Sequence, residues 1–190
     1  MAEPSGPLPT GRNRRVVLYG HPVLRLRAVE VESLDDRARR FLADLKATML
    51  EQDGLGLAGN QLGEPVRAFA IDPRSTGVDR EPYCVLNPRV LAVEGRLERE
   101  EGCLSLPGIY EVVTRPEFIR IAGIGEDAKP VELEATGLLA RAFAHEIDHL
   151  DGRLFVDHLS KLRLALLGRR LADLEERESR AAEAEAAPAR

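Results

Sequence analysis

Apolar residues recur at helical spacing in three parts of the chain. The first part follows Ser33 and Asp36, whose spacing is typical of a capping box, and it ends at Asp53-Gly54. A second helix is predicted from about Thr136 to Gly152, and a third begins at about Leu159. The apolar positions that define the first and third helices are Phe41, Leu42, Leu45 and Met49, and then Leu162, Leu166, Leu167, Leu171 and Leu174.

Between the first and second helices the pattern changes to short β-like runs that Pro and Gly separate. These runs are Val66–Ile71, Tyr83–Leu86, Val90–Val93, Phe118–Ile121 and Val131–Leu133. Strands that are grouped between helices predict an α+β fold. We expect a central helix packed among small antiparallel or mixed β-sheets, followed by a C-terminal helix.

The composition indicates one domain with two appendages. A chain of 190 residues is long enough for a single hydrophobic core. Residues 1–13 are rich in Pro, Gly and polar residues and predict a flexible N-terminal tail. We expect the domain, including the C-terminal helix, to occupy residues 14–178. Residues 179–190 form a low-complexity C-terminal tail, either a fraying helix or disordered.

Charge and cysteine content exclude some functional classes. The net charge of −5 argues against nucleic-acid binding through the whole surface, and no direct sequence-specific recognition of nucleic acid is expected. We find no segment typical of a signal peptide and none long enough to span a bilayer. Two cysteines do not make a disulfide scaffold, so a cytoplasmic protein is expected.

The segment His145-Glu146-Ile147-Asp148-His149 lies in the second predicted helix. Residues four apart on a helix share one face, so His145 and His149 can bind the same divalent ion. Glu146 is then placed to accept or donate a proton beside that ion. The alternative is a chance pair of surface histidines with an unrelated acid between them.

A third protein ligand has to come from elsewhere in the chain. The metzincin continuation fails, because Phe155 occupies the position of its last histidine. Carboxylates are available in a charged stretch that is typical of a solvated helix face, namely Glu175, Glu176 and Glu178. The other candidate is Cys103, within Glu-Gly-Cys-Leu-Ser at residues 101–105. A thiolate and two imidazoles leave an open fourth position, as catalytic sites require.

Two further features lie close to this chemistry in the sequence. Leu138 and Ala142 share a helix face with the two histidines, so they form either an apolar surface for an unbranched side chain or plain core. The glycine-rich segment 54–61 ends in Gln61, whose side-chain amide can donate to a developing oxyanion. Glycine-rich turns are common, so this segment alone is weakly informative.

Together, three segments resemble the conserved boxes of the peptide deformylases. That family carries Gly-apolar-Gly-apolar-Ala-Ala-x-Gln, Glu-Gly-Cys-apolar-Ser and His-Glu-x-x-His boxes in this order, and the chain has them at 54–61, 101–105 and 145–149. The resemblance covers about residues 14–165. One departure is Gly59, which stands where the first box usually has its second alanine. The smaller residue is expected to loosen the loop.

The resemblance implies removal of the formyl group from the N-terminal formylmethionine of newly made polypeptides. It implies that Cys103, His145 and His149 hold the metal with water in the fourth position, and that Glu146 moves the proton. Gln61 and the backbone N–H of Leu104 would face the oxyanion. The residues expected to bind the substrate are Leu55, Gly56, Gly102, Leu138 and Ala142. An ion pair between Glu101 and Arg115 would support the cysteine loop, unless both are ordinary surface charges.

The family typically uses Fe²⁺, and Zn²⁺ or Ni²⁺ can occupy such a site. In the family, the C-terminal helix can dock on the ribosome, and Lys161, Arg163, Arg169 and Arg170 would suit that role. The alternative is a solvated helix packed on the domain. Two other functions remain possible at this point: a zincin-type metallopeptidase, in which Cys103 has no role, and a non-catalytic relative that binds formylated peptides.

Overall fold

The computed structural model describes residues 6–186. Its helices are α1 (Asp36–Glu51), α2 (Gly137–Leu150) and α3 (Lys161–Ala186). Its strands are β1 (Gly56–Ala58), β2 (Ala68–Ile71), β3 (Tyr83–Glu94), β4 (Leu97–Gly102), β5 (Tyr110–Arg115), β6 (Phe118–Gly125) and β7 (Pro130–Thr136). Four short 3-10 helices join these elements, at Pro22–Arg25, Gly59–Leu62, Pro73–Thr76 and Phe155–His158.

The strands form two separate antiparallel sheets. One has the order β1-β2-β3-β6-β7, and the other is the hairpin of β4 and β5. Helix α2 lies against the larger sheet, where Phe143 and Ile147 pack in one core cluster with Phe69 and Ile121. Burying each such side chain contributes about 1.5–3 kcal/mol. The predicted α+β fold with a central helix and a C-terminal helix is therefore confirmed.

Several element boundaries differ from the prediction. Helix α1 is capped by Asp35, whose Oδ1 accepts from the Ala38 N–H at 2.8 Å, so the capping box at Ser33 was wrong. Helix α3 begins at Lys161, after a 3-10 turn, and the Ser160 hydroxyl accepts from the Arg163 N–H at 3.3 Å. The helix continues to Ala186, through most of the predicted C-terminal tail.

Three strands were not predicted. These are β1, β4 and β5, and β4 carries Arg and Glu at most of its positions. The runs 83–86 and 90–93 are two parts of the single strand β3. Asn87, with φ of 49°, lies at their junction, and its side chain bonds both the N–H and the C=O of Val31.

The N-terminal segment contacts α1 in the part that the structure describes. The Arg39 guanidinium donates to the carbonyls of Gly6 and Pro7, each at 2.7 Å, and the Arg12 N–H donates to Asp44 at 2.8 Å. Residues 6–13 of the predicted tail are therefore held against the domain, whereas residues 1–5 lie outside the described part. Within residues 6–186, no helix is long and apolar enough to cross a bilayer.

Candidate metal centre

Helix α2 places its two histidines side by side. The Nε2 atoms of His145 and His149 are 3.2 Å apart, and the two rings meet edge to face at a centroid distance of 4.8 Å. Both side chains are largely buried, since this face of α2 contacts Cys103, Glu101 and Phe155. The four-residue spacing thus gives the geometry that the sequence predicted.

Cys103 follows directly after β4 of the smaller sheet, and its side chain approaches the two imidazoles. Its Sγ lies 3.1 Å from His149 Nε2, and the donor atoms of Cys103, His145 and His149 all lie within 4.8 Å of one another. Tetrahedral coordination with typical metal–nitrogen and metal–sulfur bonds puts donor atoms about 3.3–3.6 Å apart. These residues therefore fit one divalent ion, and their nitrogen and sulfur donors suit a soft or borderline metal.

The pKa values of the two imidazoles are shifted in opposite directions. Burial alone would lower the pKa of His145, but its hydrogen bonds with Cys103 and Glu101 raise this pKa well above its ordinary value. Burial, helped by the positive charge on His145, lowers the pKa of His149 well below its ordinary value. Metal binding needs both nitrogens unprotonated, so it would release a proton from this cluster.

Glu101, at the end of β4, orients the first histidine. Its Oε1 lies 2.6 Å from His145 Nδ1, which leaves Nε2 directed at the other two donor atoms. Arg115 bonds the same carboxylate from Nη2 at 2.7 Å and from Nε at 3.1 Å, so the predicted ion pair is present. Although burial raises the pKa of Glu101, the bonds from His145 and Arg115 hold it well below the ordinary range. A carboxylate behind a metal-binding imidazole fixes its tautomer.

The sequence analysis gave no role to several residues of this network. Asp148 bonds Arg115 and lies 2.6 Å from His158 Nε2. Burial raises the pKa of Asp148, but the hydrogen bond from His158 and the charge of Arg115 lower it to about 2. Arg141, one turn before His145, was also missed. Asp148 had a signal, because it lies inside the histidine motif, whereas nothing in the sequence distinguished Arg141 or His158.

Glu146 follows His145 on α2 and lies beside the cluster of donor atoms. Its side chain is buried, and its Oε2 has no hydrogen-bond partner among the described residues. A Cβ atom at Gly56 would lie 2.4 Å from Glu146 Oε1, so a larger residue there would displace the Glu146 carboxylate. Burial raises the pKa of Glu146 to about 7, against the opposing charge of His145. A carboxylate with this pKa can both take and return a proton near neutral pH.

Gln61 is fixed close to the sulfur. Its Oε1 accepts from the Ala58 N–H at 2.9 Å, so its Nε2 faces the site, 3.1 Å from Ser105 Oγ and 3.5 Å from Cys103 Sγ. Leu104, the next residue after the cysteine, also lines the site. The Gln61 amide and the chain at Leu104 therefore both line the site next to Cys103.

A cavity of about 480 Å³ opens onto this cluster. All five residues predicted to bind substrate line it, namely Leu55, Gly56, Gly102, Leu138 and Ala142. Leu138 is 41% exposed, so it is not plain core, whereas Ala142 is buried. Tyr110 also lines the cavity, with its ring packed over Gly102. The sequence analysis missed this tyrosine, because the pairing of β4 with β5 was not predicted.

Gly59 does not loosen the first box, contrary to the prediction. A Cβ atom there would lie 2.2 Å from the backbone oxygen of Val66, and the residue is buried. The missing methyl group therefore allows two chain segments to approach closely. The carboxylates proposed as alternative ligands lie elsewhere: Glu178, for example, bonds Arg15 at 2.8 Å.

Comparison with known proteins identifies the family. The sequence model described as Polypeptide deformylase matches residues 13–165. The chain belongs to the peptide deformylase family. It is 43% identical to a peptide deformylase of Alkalilimnicola ehrlichii over 84% of this chain and 89% of that protein. It is 42% identical to a peptide deformylase of Brucella suis over 78% and 85% of the two chains.

Solved peptide deformylase structures have the same fold. That of the Thermus thermophilus enzyme aligns with a TM-score of 0.80 and 40% identity, over 87% of this chain and 99% of that one. That of Legionella pneumophila aligns with a TM-score of 0.80 and 36% identity, over 89% and 99%. Peptide deformylases are metal-dependent hydrolases, and the Cys/His/His cluster of this chain can bind a metal.

Proposed function

We propose that this protein removes the N-formyl group from the N-terminal formylmethionine of new polypeptides and releases formate. One observation carries the proposal: in a member of the peptide deformylase family, Cys103, His145 and His149 converge beside the buried Glu146 at an apolar cavity. Family membership makes the chain a hydrolase of formylated peptides, and the residue roles below are our assignment.

Cys103, His145 and His149 would hold one divalent ion. When bound, this ion supplies Lewis acidity, which makes water a nucleophile near neutral pH and polarises a carbonyl oxygen. One thiolate with two neutral imidazoles leaves a net charge of about +1 on a divalent centre and favours softer metals. We assign Fe²⁺ as the native ion and expect Zn²⁺ or Ni²⁺ to bind as well.

Glu146 would act as the general base and then as the general acid. Its pKa of about 7 means that it accepts a proton from water and returns it to the departing amine without a large energetic penalty in either direction. Gln61 Nε2 and the Leu104 N–H would donate to the oxygen of the formyl group as it becomes negatively charged. Losing one such donor typically costs about 100- to 1000-fold in kcat.

The cavity would select methionine and accept any following sequence. Leu55, Leu138 and Ala142 provide apolar surface for the unbranched methionine side chain. The backbone of Gly56 and Gly102 would pair with the substrate as with an added strand. Main-chain pairing does not distinguish side chains beyond the first residue, which suits an enzyme that processes many different proteins.

A direct assay tests this function and separates it from the alternatives. Full-length protein loaded with Zn²⁺ or Fe²⁺ is expected to release formate from formyl-Met-Ala-Ser, with acetyl-Met-Ala-Ser as the matched control peptide. Mass spectrometry of the products should show Met-Ala-Ser with both internal peptide bonds intact. Cleavage of an internal bond would instead support a zincin-type peptidase. Binding of the formylated peptide without any formate would support a non-catalytic relative.

We further propose that α3 docks on the ribosome in the cytoplasm, close to where nascent chains emerge. The N-terminal half of α3 carries Lys161, Arg163, Arg169 and Arg170. Its apolar residues Leu162 and Leu166 are 72% and 70% exposed, unlike Leu167, Leu171 and Leu174, which pack on the domain. Basic and apolar side chains on one exposed surface suit contact with RNA phosphates and ribosomal protein.

Charge reversal on α3 is expected to abolish co-sedimentation with ribosomes. The double variant Lys161→Glu/Arg169→Glu changes two exposed residues of the basic half, while Arg170 keeps its bond to the Gly108 carbonyl. Arg177→Glu/Arg180→Glu makes the same charge change in the acidic half and serves as the control. Equal sedimentation of both variants and the wild type would exclude docking through this helix.

A further inference from the structure

The three donor atoms belong to two parts of the fold. Within residues 6–186, no backbone hydrogen bonds between strands join the two sheets. Cys103 follows β4 of the two-stranded sheet, whereas the histidines lie on α2, which packs on the five-stranded sheet. Metal coordination tolerates errors of only about 0.2 Å in donor position. Side chains must therefore fix the smaller sheet relative to α2.

Arg141 makes the most extensive of these connections. It lies on α2 one turn before His145, and its side chain is 3% exposed. Nη1 donates to the carbonyls of Leu97 and Val113, at 2.8 and 3.0 Å, and Nη2 donates to the carbonyl of Arg99 at 3.0 Å. One guanidinium thus connects α2 to the backbones of both β4 and β5.

The fourth bond of Arg141 goes to the carboxylate behind His145. Nη2 lies 3.0 Å from Glu101 Oε2, while Glu101 Oε1 faces His145 Nδ1 at 2.6 Å. Arg141 therefore acts at two points: it sets the distance from β4 to α2, and it orients the carboxylate that fixes the His145 tautomer. The planar fork of arginine allows all four bonds at once, which a lysine cannot reproduce.

We propose that Arg141 is a positioning residue, which brings the sulfur of Cys103 into place for the two imidazoles and so sets the metal affinity of the site. The proposal rests on the metal-binding roles assigned under the proposed function. It assigns no contact between Arg141 and the metal or the reacting atoms. Loss of this residue should weaken metal binding even where the fold is intact.

The test uses three full-length variants and Zn²⁺ alone as the probe. Arg141→Met keeps an unbranched apolar stem but removes the guanidinium and with it all four hydrogen bonds. Arg141→Lys keeps the charge and is the conservative variant. Arg67→Met is the matched control, because Arg67 is also buried and also bonds the α2 terminus, through Leu150 O and Asp151, but none of its bonds goes to β4 or β5. Zn²⁺ affinity is measured by chelator competition, and thiolate coordination by the charge-transfer band of the Co²⁺ form.

Arg141→Met is expected to bind Zn²⁺ about 10- to 100-fold more weakly than wild type, the usual effect of losing a residue that orients metal ligands. Its Co²⁺–thiolate band should shift or weaken. The Zn²⁺ affinity of Arg141→Lys should lie between those of Arg141→Met and the wild type. Arg67→Met should lower the melting temperature and leave the Zn²⁺ affinity unchanged.

Wild-type Zn²⁺ affinity and an unchanged Co²⁺ band in both Arg141 variants would overturn the proposal. So would an equal loss of affinity in Arg67→Met, since this would reflect general destabilisation. If Arg141→Met does not fold, the proposal is tested by comparing the Zn²⁺ affinity of Arg141→Lys with that of Arg67→Met. None of these measurements uses a formylated peptide, so failure of the proposed function would be recognised separately.

Discussion

Glu146→Gln is expected to lower kcat for formate release by about 10²- to 10⁴-fold, the usual contribution of a positioned general acid–base. Glutamine has nearly the same shape, but its amide cannot take a proton from water. The native carboxylate suits this transfer, because burial raises its pKa to about 7 and no described residue bonds its Oε2. The measurement is steady-state kinetics with formyl-Met-Ala-Ser on protein of known metal content.

The metal content of Glu146→Gln shows whether the variant has lost proton transfer or metal binding. Glu146→Gln should still bind one equivalent of Zn²⁺, because its carboxylate is not among the three converging donor atoms. Glu98→Gln makes the same chemical change on the exposed part of β4 and should retain wild-type kcat. Activity of Glu146→Gln within threefold of the wild type would contradict the proton-transfer role.

Cys103→Ala is expected to abolish both metal retention and activity. The change would leave only the two imidazoles of the proposed ligand set. Losing a residue that only orients ligands already costs about 10- to 100-fold in affinity, so losing a ligand should cost more than about 100-fold. Zn²⁺ should be removed by a chelator that leaves the wild type loaded, and formate release should fall below detection.

Cys84→Ala is the matched control for this change. Cys84 is also a free cysteine, but it is buried in the core beneath α1, with Sγ 3.6 Å from the Leu42 carbonyl. Its replacement should leave Zn²⁺ affinity and kcat unchanged and lower stability slightly, because a small cavity forms. Tight Zn²⁺ binding by Cys103→Ala would mean that another residue completes the site.

The sequence predicted the helices and the three motifs at 54–61, 101–105 and 145–149 better than it predicted the strands. Helix α2 was placed within two residues, because its apolar spacing and the Gly152 turn are local signals. Strand β4 could not be recognised, because it exposes Glu98 and Glu100 and buries only part of its surface. Its partner β5 was missed although Tyr110, Val112 and Val113 favour a strand, so the position of Tyr110 over Gly102 was also missed.

The residues proposed to bind the metal and transfer the proton were likewise easier to predict than the residues that hold them in position. His145, Glu146 and His149 occupy one helical turn, so spacing alone relates them. The pair of Glu101 and Arg115 was one of two alternatives left open, the other being two ordinary surface charges, and the structure contains the pair. Arg141 donates to three backbone carbonyls of β4 and β5, so these bonds depend on how the smaller sheet packs against α2. Every residue has a backbone carbonyl, so the sequence cannot indicate which ones accept a hydrogen bond.

The close contact at Gly59 bears on how this chain can be engineered. The family box that this segment resembles has alanine at this position, so a redesign towards that box would introduce it as a stabilising change. In this chain the added methyl would meet the Val66 oxygen at 2.2 Å, a rigid backbone atom rather than a side chain that can turn away. Alanine at residue 59 would therefore need the backbone around Val66 to shift, so a change that looks neutral elsewhere would cost stability here.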